Sequence, residues 1–107
     1  MDDKTPVRML VMYRVKPGKE EQFLPLLKLH WPALRSVDLA TETPARAFRG
    51  TPKRGHGEGS LFVELFEWKN AAAPDVAHQT PEVMSVWEPM GPMLDGMDLI
   101  ALSDVDL

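Results

Sequence analysis

Leu61-Phe62-Val63-Glu64-Leu65-Phe66-Glu67-Trp68 is the stretch whose reading decides the fold. Successive side chains of a strand point to opposite faces, so Leu61, Val63 and Leu65 share one face. Phe62, Phe66 and Trp68 share the other, with Glu64 among them. A strand on a half-exposed sheet carries one polar face. This one is apolar on both, which marks a central strand and raises the question of what covers each side of its sheet.

Upstream, Val7, Met9, Val11, Tyr13 and Val15 alternate with Arg8, Leu10, Met12 and Arg14, predicting a first strand that Pro17-Gly18 ends. A helix is expected from Lys19-Glu20-Glu21-Gln22 onward, with Phe23, Leu26, Leu27, His30 and Leu34 as its inward stripe. Pro25 and Pro32 each remove an N–H and crowd the carbonyl four residues earlier, so the helix should bend at both. A second strand is predicted from about Thr41 to Arg49. Its Pro44 cannot donate to a ladder, which assigns it to a sheet edge. The segment Thr-Pro-Lys-Arg-Gly-His-Gly-Glu-Gly at 51–59 has neither a strand nor a helix period. Glycine-rich loops that cradle phosphate follow a strand and open a helix. This one leads into a strand, so it and its His56 read as a plain hairpin connection.

Downstream, Asn70 is a cap for a short helix from Ala71 to Gln79 that tolerates Pro74 near its start. Thr80 as N-cap, Pro81 at the first helical position and Glu82 at the positive end of the dipole open a further helix. Its buried stripe is Val83, Val86, Trp87, Met90 and Leu94. Pro89 and Gly91-Pro92 loosen its end, Asp95-Gly96 turns, and Met97 to Asp104 forms the last strand, with Leu99 and Ala101 on one face and Ile100 and Leu102 on the other.

The order βαββαβ with right-handed crossovers predicts an α+β, ferredoxin-like fold: a four-stranded antiparallel sheet ordered 4-1-3-2 with the helices on one face. The first and third strands, free of internal proline and glycine, become the central pair. The other face lacks a helical cover. Six side chains such as Val7, Met9, Val11, Leu61, Val63 and Leu65, at ~1.5 to 3 kcal/mol each when buried, would forfeit on the order of 10 kcal/mol in water. That approaches the whole stability of a domain. The expected cover is a second copy of the chain, giving a homodimer joined through its sheet faces.

The chain's 107 residues, 44% of them apolar and 26% charged, fit one domain spanning 1–107. A net charge of -4 with scattered basic residues argues against a nucleic-acid surface, and against anionic lipid for the same reason. No apolar run approaches the ~18 residues of a membrane span. The start lacks the order of a signal peptide, so a cytoplasmic protein is the default expectation. The absence of cysteine excludes disulfides, thiolate metal sites and thiol catalysis. The three histidines, 30, 56 and 78, lack metal-ligand spacing, and no metal is expected.

Phe-Val-Glu-Leu-Phe-Glu-Trp at 62–68, followed by Ala-His-Gln-Thr-Pro-Glu-Val at 77–83, resembles the dimeric α+β barrel superfamily and, within it, the antibiotic biosynthesis monooxygenase-like domains. The resemblance covers nearly the whole chain. It implies a ligand cavity between sheet and helices, and it places a helix histidine before a Ser/Thr-Pro break, as in His78-Gln79-Thr80-Pro81. The family includes cofactor-free oxygenases of polyketide quinols, haem-degrading enzymes and small proteins without known activity. Haem-degrading members use an asparagine on the first strand, and a tryptophan followed by a histidine on the second helix. Here Asn70 is the sole asparagine and His78 precedes Trp87. Quinol oxygenases are similar in using an asparagine and a tryptophan near the third strand, where this chain has Glu64 and Trp68. No cofactor is expected.

The candidate catalytic residues are therefore His78, His30 and Glu64. Glu64 lies between Phe62 and Phe66, where desolvation disfavours the charged carboxylate and makes it a usable base near neutrality. The alternative is structural: Arg8 and Arg14 on the neighbouring strand would hold Glu64 as an ion pair. His30 on the inward stripe and His78 before a helix break reach one cavity or else are satisfied core histidines. Trp31, Trp68, Trp87, Tyr13 and Met84 are candidate ligand contacts, although tryptophan and methionine also fill cores without any ligand. Two functions stand: a cofactor-independent monooxygenase acting on a small aromatic molecule, and a non-catalytic binding or assembly module.

Overall fold

A computed structural model describes residues 4–54 and 59–107, so His56 lies outside the described residues. The chain runs β1 (Val7–Val15), α1 (Glu20–Ser36), β2 (Arg46–Gly50), β3 (Ser60–Trp68), α2 (Ala73–Ala77), α3 (Pro81–Met90), a 3₁₀ turn (Gly91–Met93) and β4 (Leu94–Leu102). The antiparallel sheet has the order β2-β3-β1-β4, which is the expected ferredoxin-like arrangement with β1 and β3 central.

The pairing of β1 with β3 sets both faces. Val7 lies opposite Trp68, Met9 opposite Phe66, Val11 opposite Glu64 and Tyr13 opposite Phe62. All of these side chains therefore share the helix-covered face. Phe23 of α1 meets the rings of Tyr13 at 5.1 Å and Phe62 at 5.6 Å, and with Leu27, Leu34, Val83 and Val86 it fills the core beneath them. Val7, Met9 and Val11 thus belong to the interior and not to the uncovered face. The uncovered face carries Leu10, Met12, Leu61, Val63 and Leu65, all half-buried, with Phe48 and Ile100 exposed beside them.

Other departures from expectation have local causes. α1 is one continuous helix through Pro25 and Pro32. Both prolines face solvent, as do Glu21 and Lys28 four residues before them, so water can serve the carbonyls that lose their donors. β2 begins at Arg46, later than the predicted Thr41, and before it Ala40 makes only an isolated bridge to Trp68. Pro44 falls in that gap, where its missing N–H leaves no ladder bond unmade. Thr80 has the extended backbone of an N-cap, but its hydroxyl donates back to the Val76 carbonyl at 2.7 Å and not into α3. Asn70 accepts from the Ala72 N–H at 3.1 Å ahead of a helix shorter than the predicted 71–79. Asp95-Gly96, read as a turn, lies within β4. There the pairing passes from Arg14 opposite Gly96 to Val15 opposite Leu94, leaving Asp95 as the extra residue of a bulge.

Candidate functional site

Glu64 is 1% exposed and sits near the middle of β3, on the face under the helices. Arg8 and Arg14 do not reach it. The same pairing that sets Val11 opposite Glu64 turns even-numbered residues of β1 to the open face, where Arg8 pairs with Asp104 and Arg14 with Asp98 at 2.8 Å. The residue brought to Glu64 from β1 is Tyr13, whose hydroxyl donates to Oε1 at 2.7 Å. From α1, His30 brings Nδ1 to 2.9 Å from Oε1 and 3.0 Å from Oε2.

Protonation follows from these contacts. Burial, and then the charge and hydrogen bond of Glu64, push the Tyr13 phenol upward, so its hydroxyl keeps its proton and remains a donor. Nδ1 lies almost equally close to both carboxylate oxygens, the placement of an N–H aimed at a carboxylate. In the neutral ring with its proton on Nδ1, Nε2 carries the lone pair; in the protonated ring both nitrogens are donors. Nε2 is buried and has no partner, in a residue 2% exposed. Buried polar atoms seldom go unpaired, because losing water without a replacement costs about 1 to 3 kcal/mol.

Above this chain of three lies a cavity of about 300 Å³ between the sheet and the helices. Met9, Val11 and Tyr13 of β1, Phe66 and Trp68 of β3, and Leu94, Met97 and Leu99 of β4 form one wall. His30 of α1, Pro74 of α2, and Met84, Trp87, Glu88 and Met90 of α3 form the other, with His78 and Gly91 beside them. Four rings close a circuit within it: His30 to Phe66 at 5.3 Å, Phe66 to Trp68 at 5.1 Å, Trp68 to Trp87 at 6.4 Å, and Trp87 back to His30 at 6.0 Å. His78 is exposed and meets the edge of Trp87 at 4.9 Å, so Trp87 stands between the buried and the exposed histidine. Of its lining residues, Met97 is 48% and Leu99 62% exposed, and His78, Glu88 and Gly91 are exposed as well.

Of the residues singled out from sequence, His30, His78, Tyr13, Trp68, Trp87 and Met84 all line this cavity. Glu64 lies beneath it, joined to it through Tyr13 and His30. Trp31 does not line it, although its indole nitrogen, like that of Trp68, is buried without a partner. Sequence reasoning missed the link among Tyr13, Glu64 and His30 and the contribution of β4. The signal available was the odd numbering that Tyr13 shares with Val11, which becomes informative once β1 is registered against β3. Among the described residues, no three His, Cys, Asp or Glu side chains converge as a metal ion requires. No described helix is long and apolar enough to cross a membrane.

No protein-family model matches the sequence, and no curated protein matches it. Solved structures do. A putative antibiotic biosynthesis monooxygenase from Bacteroides thetaiotaomicron superposes with a TM-score of 0.74 at 14% identity, covering 98% of this chain and 94% of that one. A mutant of SnoaB, a cofactor-independent oxygenase from Streptomyces nogalater, gives 0.68 at 9% identity, with 99% and 97% covered. The hydroxynitrile lyase of Passiflora edulis gives 0.69 at 9% identity, with 97% and 99% covered. At these identities the likeness is one of fold alone, a fold shared by oxygenases and a lyase alike.

Proposed function

We propose that this protein binds a small apolar or aromatic molecule in the cavity between its sheet and helices and acts on it as a cofactor-independent monooxygenase. The observation that carries the reading is an aromatic-walled cavity lined by His30, an imidazole whose Nδ1 meets Glu64 and whose Nε2 is buried without a partner. Such an enzyme needs a base to make its electron-rich substrate anionic, so that the anion itself reduces O2. One oxygen atom then becomes a carbonyl on the substrate and the other leaves as water. His30 is the base in this scheme, with Glu64 behind it. Exposed His78, edge-on to Trp87, belongs to the entrance.

The working unit is a homodimer. Its interface is the uncovered sheet face, where Leu10, Met12, Leu61, Val63 and Leu65 form a contiguous apolar surface rimmed by the pairs of Arg8 with Asp104 and Arg14 with Asp98. The second reading is a non-catalytic ligand-binding or assembly module. It is favoured by Nε2 lying buried where solvent does not reach it.

Oxygen consumption with a hydroxylated naphthalene or an anthrone separates the two. The enzyme reading expects turnover that falls by about 10²- to 10⁴-fold in His30→Ala, the range that general bases contribute. His78→Ala is expected to retain most of the rate. Undiminished turnover in a folded His30→Ala protein removes His30 as the base, and binding without oxygen uptake selects the second reading.

A further inference from the structure

We infer that Met97 is a site of reversible oxidation by hydrogen peroxide, and that its sulfoxide, standing among the exposed residues of the cavity lining, turns apolar ligands away. The inference rests on the cavity being a ligand site, as proposed above, and adds a means of shutting it.

Oxidation of a thioether requires a sulfur lone pair to meet a peroxide oxygen, so exposure selects among methionines. Of the methionines among the described residues, Met90 is buried, Met9, Met12, Met84 and Met93 are half-buried, and Met97 alone is exposed. Met97 also lines the cavity, together with Met9, Met84 and Met90. The sulfur that a peroxide reaches first is therefore part of the candidate ligand site. β4 is an edge strand paired only with β1, so no strand flanks Met97 on its outer side. Met97 lies opposite Tyr13, on the helix side of the sheet. A homodimer joined through the other face does not bury it.

The step balances with the peroxide alone. The sulfur lone pair attacks one peroxide oxygen, the O–O bond breaks and an S–O bond forms. The departing oxygen takes up the proton and leaves as water. Sulfur is oxidised by two electrons and the peroxide is reduced by two. A flexible apolar side chain becomes a polar one.

The neighbours of Met97 decide what that polar group does. Leu94 and Leu99, the other β4 residues of the lining, have no side-chain donor to offer it. The hydroxyl of Tyr13, across the strand pair, is already given to Glu64 at 2.7 Å. With the cavity empty of ligand, water serves the sulfoxide oxygen. An apolar ligand seated against it displaces that water and supplies no replacement. Leaving one polar group unpaired in this way weakens binding by about tenfold or more. Reduction of the sulfoxide restores the thioether, and the site with it.

The test uses nitrobenzene as the apolar probe, calorimetry to read its affinity, and hydrogen peroxide at a dose that adds about one oxygen atom per chain. Proteolysis and tandem mass spectrometry are expected to place that oxygen on Met97 ahead of every other methionine. The oxidised protein should bind nitrobenzene about tenfold more weakly with its circular dichroism unchanged, and methionine sulfoxide reductases with a dithiol should return the affinity. Met97→Leu, whatever its own affinity, should keep that affinity through the same peroxide dose. Met97→Gln, which carries a permanent amide on a side chain of similar size, should bind weakly both before and after the dose. If the first oxygen falls on another methionine, or if protein oxidised at Met97 binds nitrobenzene as tightly as before, the inference is overturned and the cavity reading stands. If the untreated protein does not bind nitrobenzene, the cavity reading falls and the inference falls with it.

Discussion

Tyr13 is the chain's single tyrosine, so its ionisation can be followed directly by the ultraviolet absorption of the phenolate. Burial and the neighbouring Glu64 push this phenol upward, whereas in the unfolded chain it titrates at about 10. Above that pH the unfolded state loses a proton that the folded state keeps. Stability contributed by Tyr13 is therefore complete below the unfolded value and declines as pH rises, by about 1.4 kcal/mol per pH unit. Folded protein at a pH one unit above the free value is expected to show almost no phenolate, and addition of urea should bring the signal up at once. Tyr13→Phe removes this alkaline slope. It also removes a 2.7 Å donor to a buried carboxylate while leaving the ring contact to Phe23 at 5.1 Å, and so costs about 1.5 to 3 kcal/mol near neutrality. Urea denaturation of both proteins at neutral and alkaline pH measures both effects. A native titration with an ordinary midpoint, while circular dichroism reports an intact fold, would refute the buried Tyr13–Glu64 contact. A Tyr13→Phe cost below about 0.5 kcal/mol would show that the bond contributes little.

Three further outcomes follow from other parts of the fold. Gly59 has φ +94°, and a Cβ there would lie 2.3 Å from the Val15 carbonyl oxygen, so Gly59→Ala is expected to lower stability by at least about 1 to 3 kcal/mol in chemical denaturation. Val63 lies on the uncovered face opposite Met12 and Phe48, and Val63→Asp should convert a dimer to a folded monomer in light scattering. A carboxylate buried between sheets costs several kcal/mol, about a thousandfold in dissociation constant, and a persistent dimer would exclude the sheet-face interface. Trp87→Ala, which removes the ring between His30 and His78, is expected to cost less than the ~3 to 5 kcal/mol of a fully buried aromatic and to weaken nitrobenzene binding in calorimetry.

Alternation at 7–15 and 61–68 was enough to name the two central strands, and helical spacing at 23–34 and 83–90 the two long helices, because each of these signals is local; the βαββαβ order then gave the order of the strands in the sheet. Part of the cavity was legible in the same way: His30 and Trp87 stand on the inward stripes of their helices, and Trp68 on the aromatic face of its strand. The alignment of one strand against its neighbour was not legible. Alternation groups Val7, Met9 and Val11 with Leu61, Val63 and Leu65 as readily as with Phe62, Phe66 and Trp68, since a slip of one residue exchanges every side chain between faces. Placing Val11 opposite Glu64 decides the matter. It sends Arg8 and Arg14 to the open face, brings Tyr13 to the carboxylate, and lets α1 deliver His30 to the same two oxygens. A buried polar cluster assembled from residues 13, 30 and 64 depends on contacts far apart in the chain, and only the tertiary structure determines such contacts.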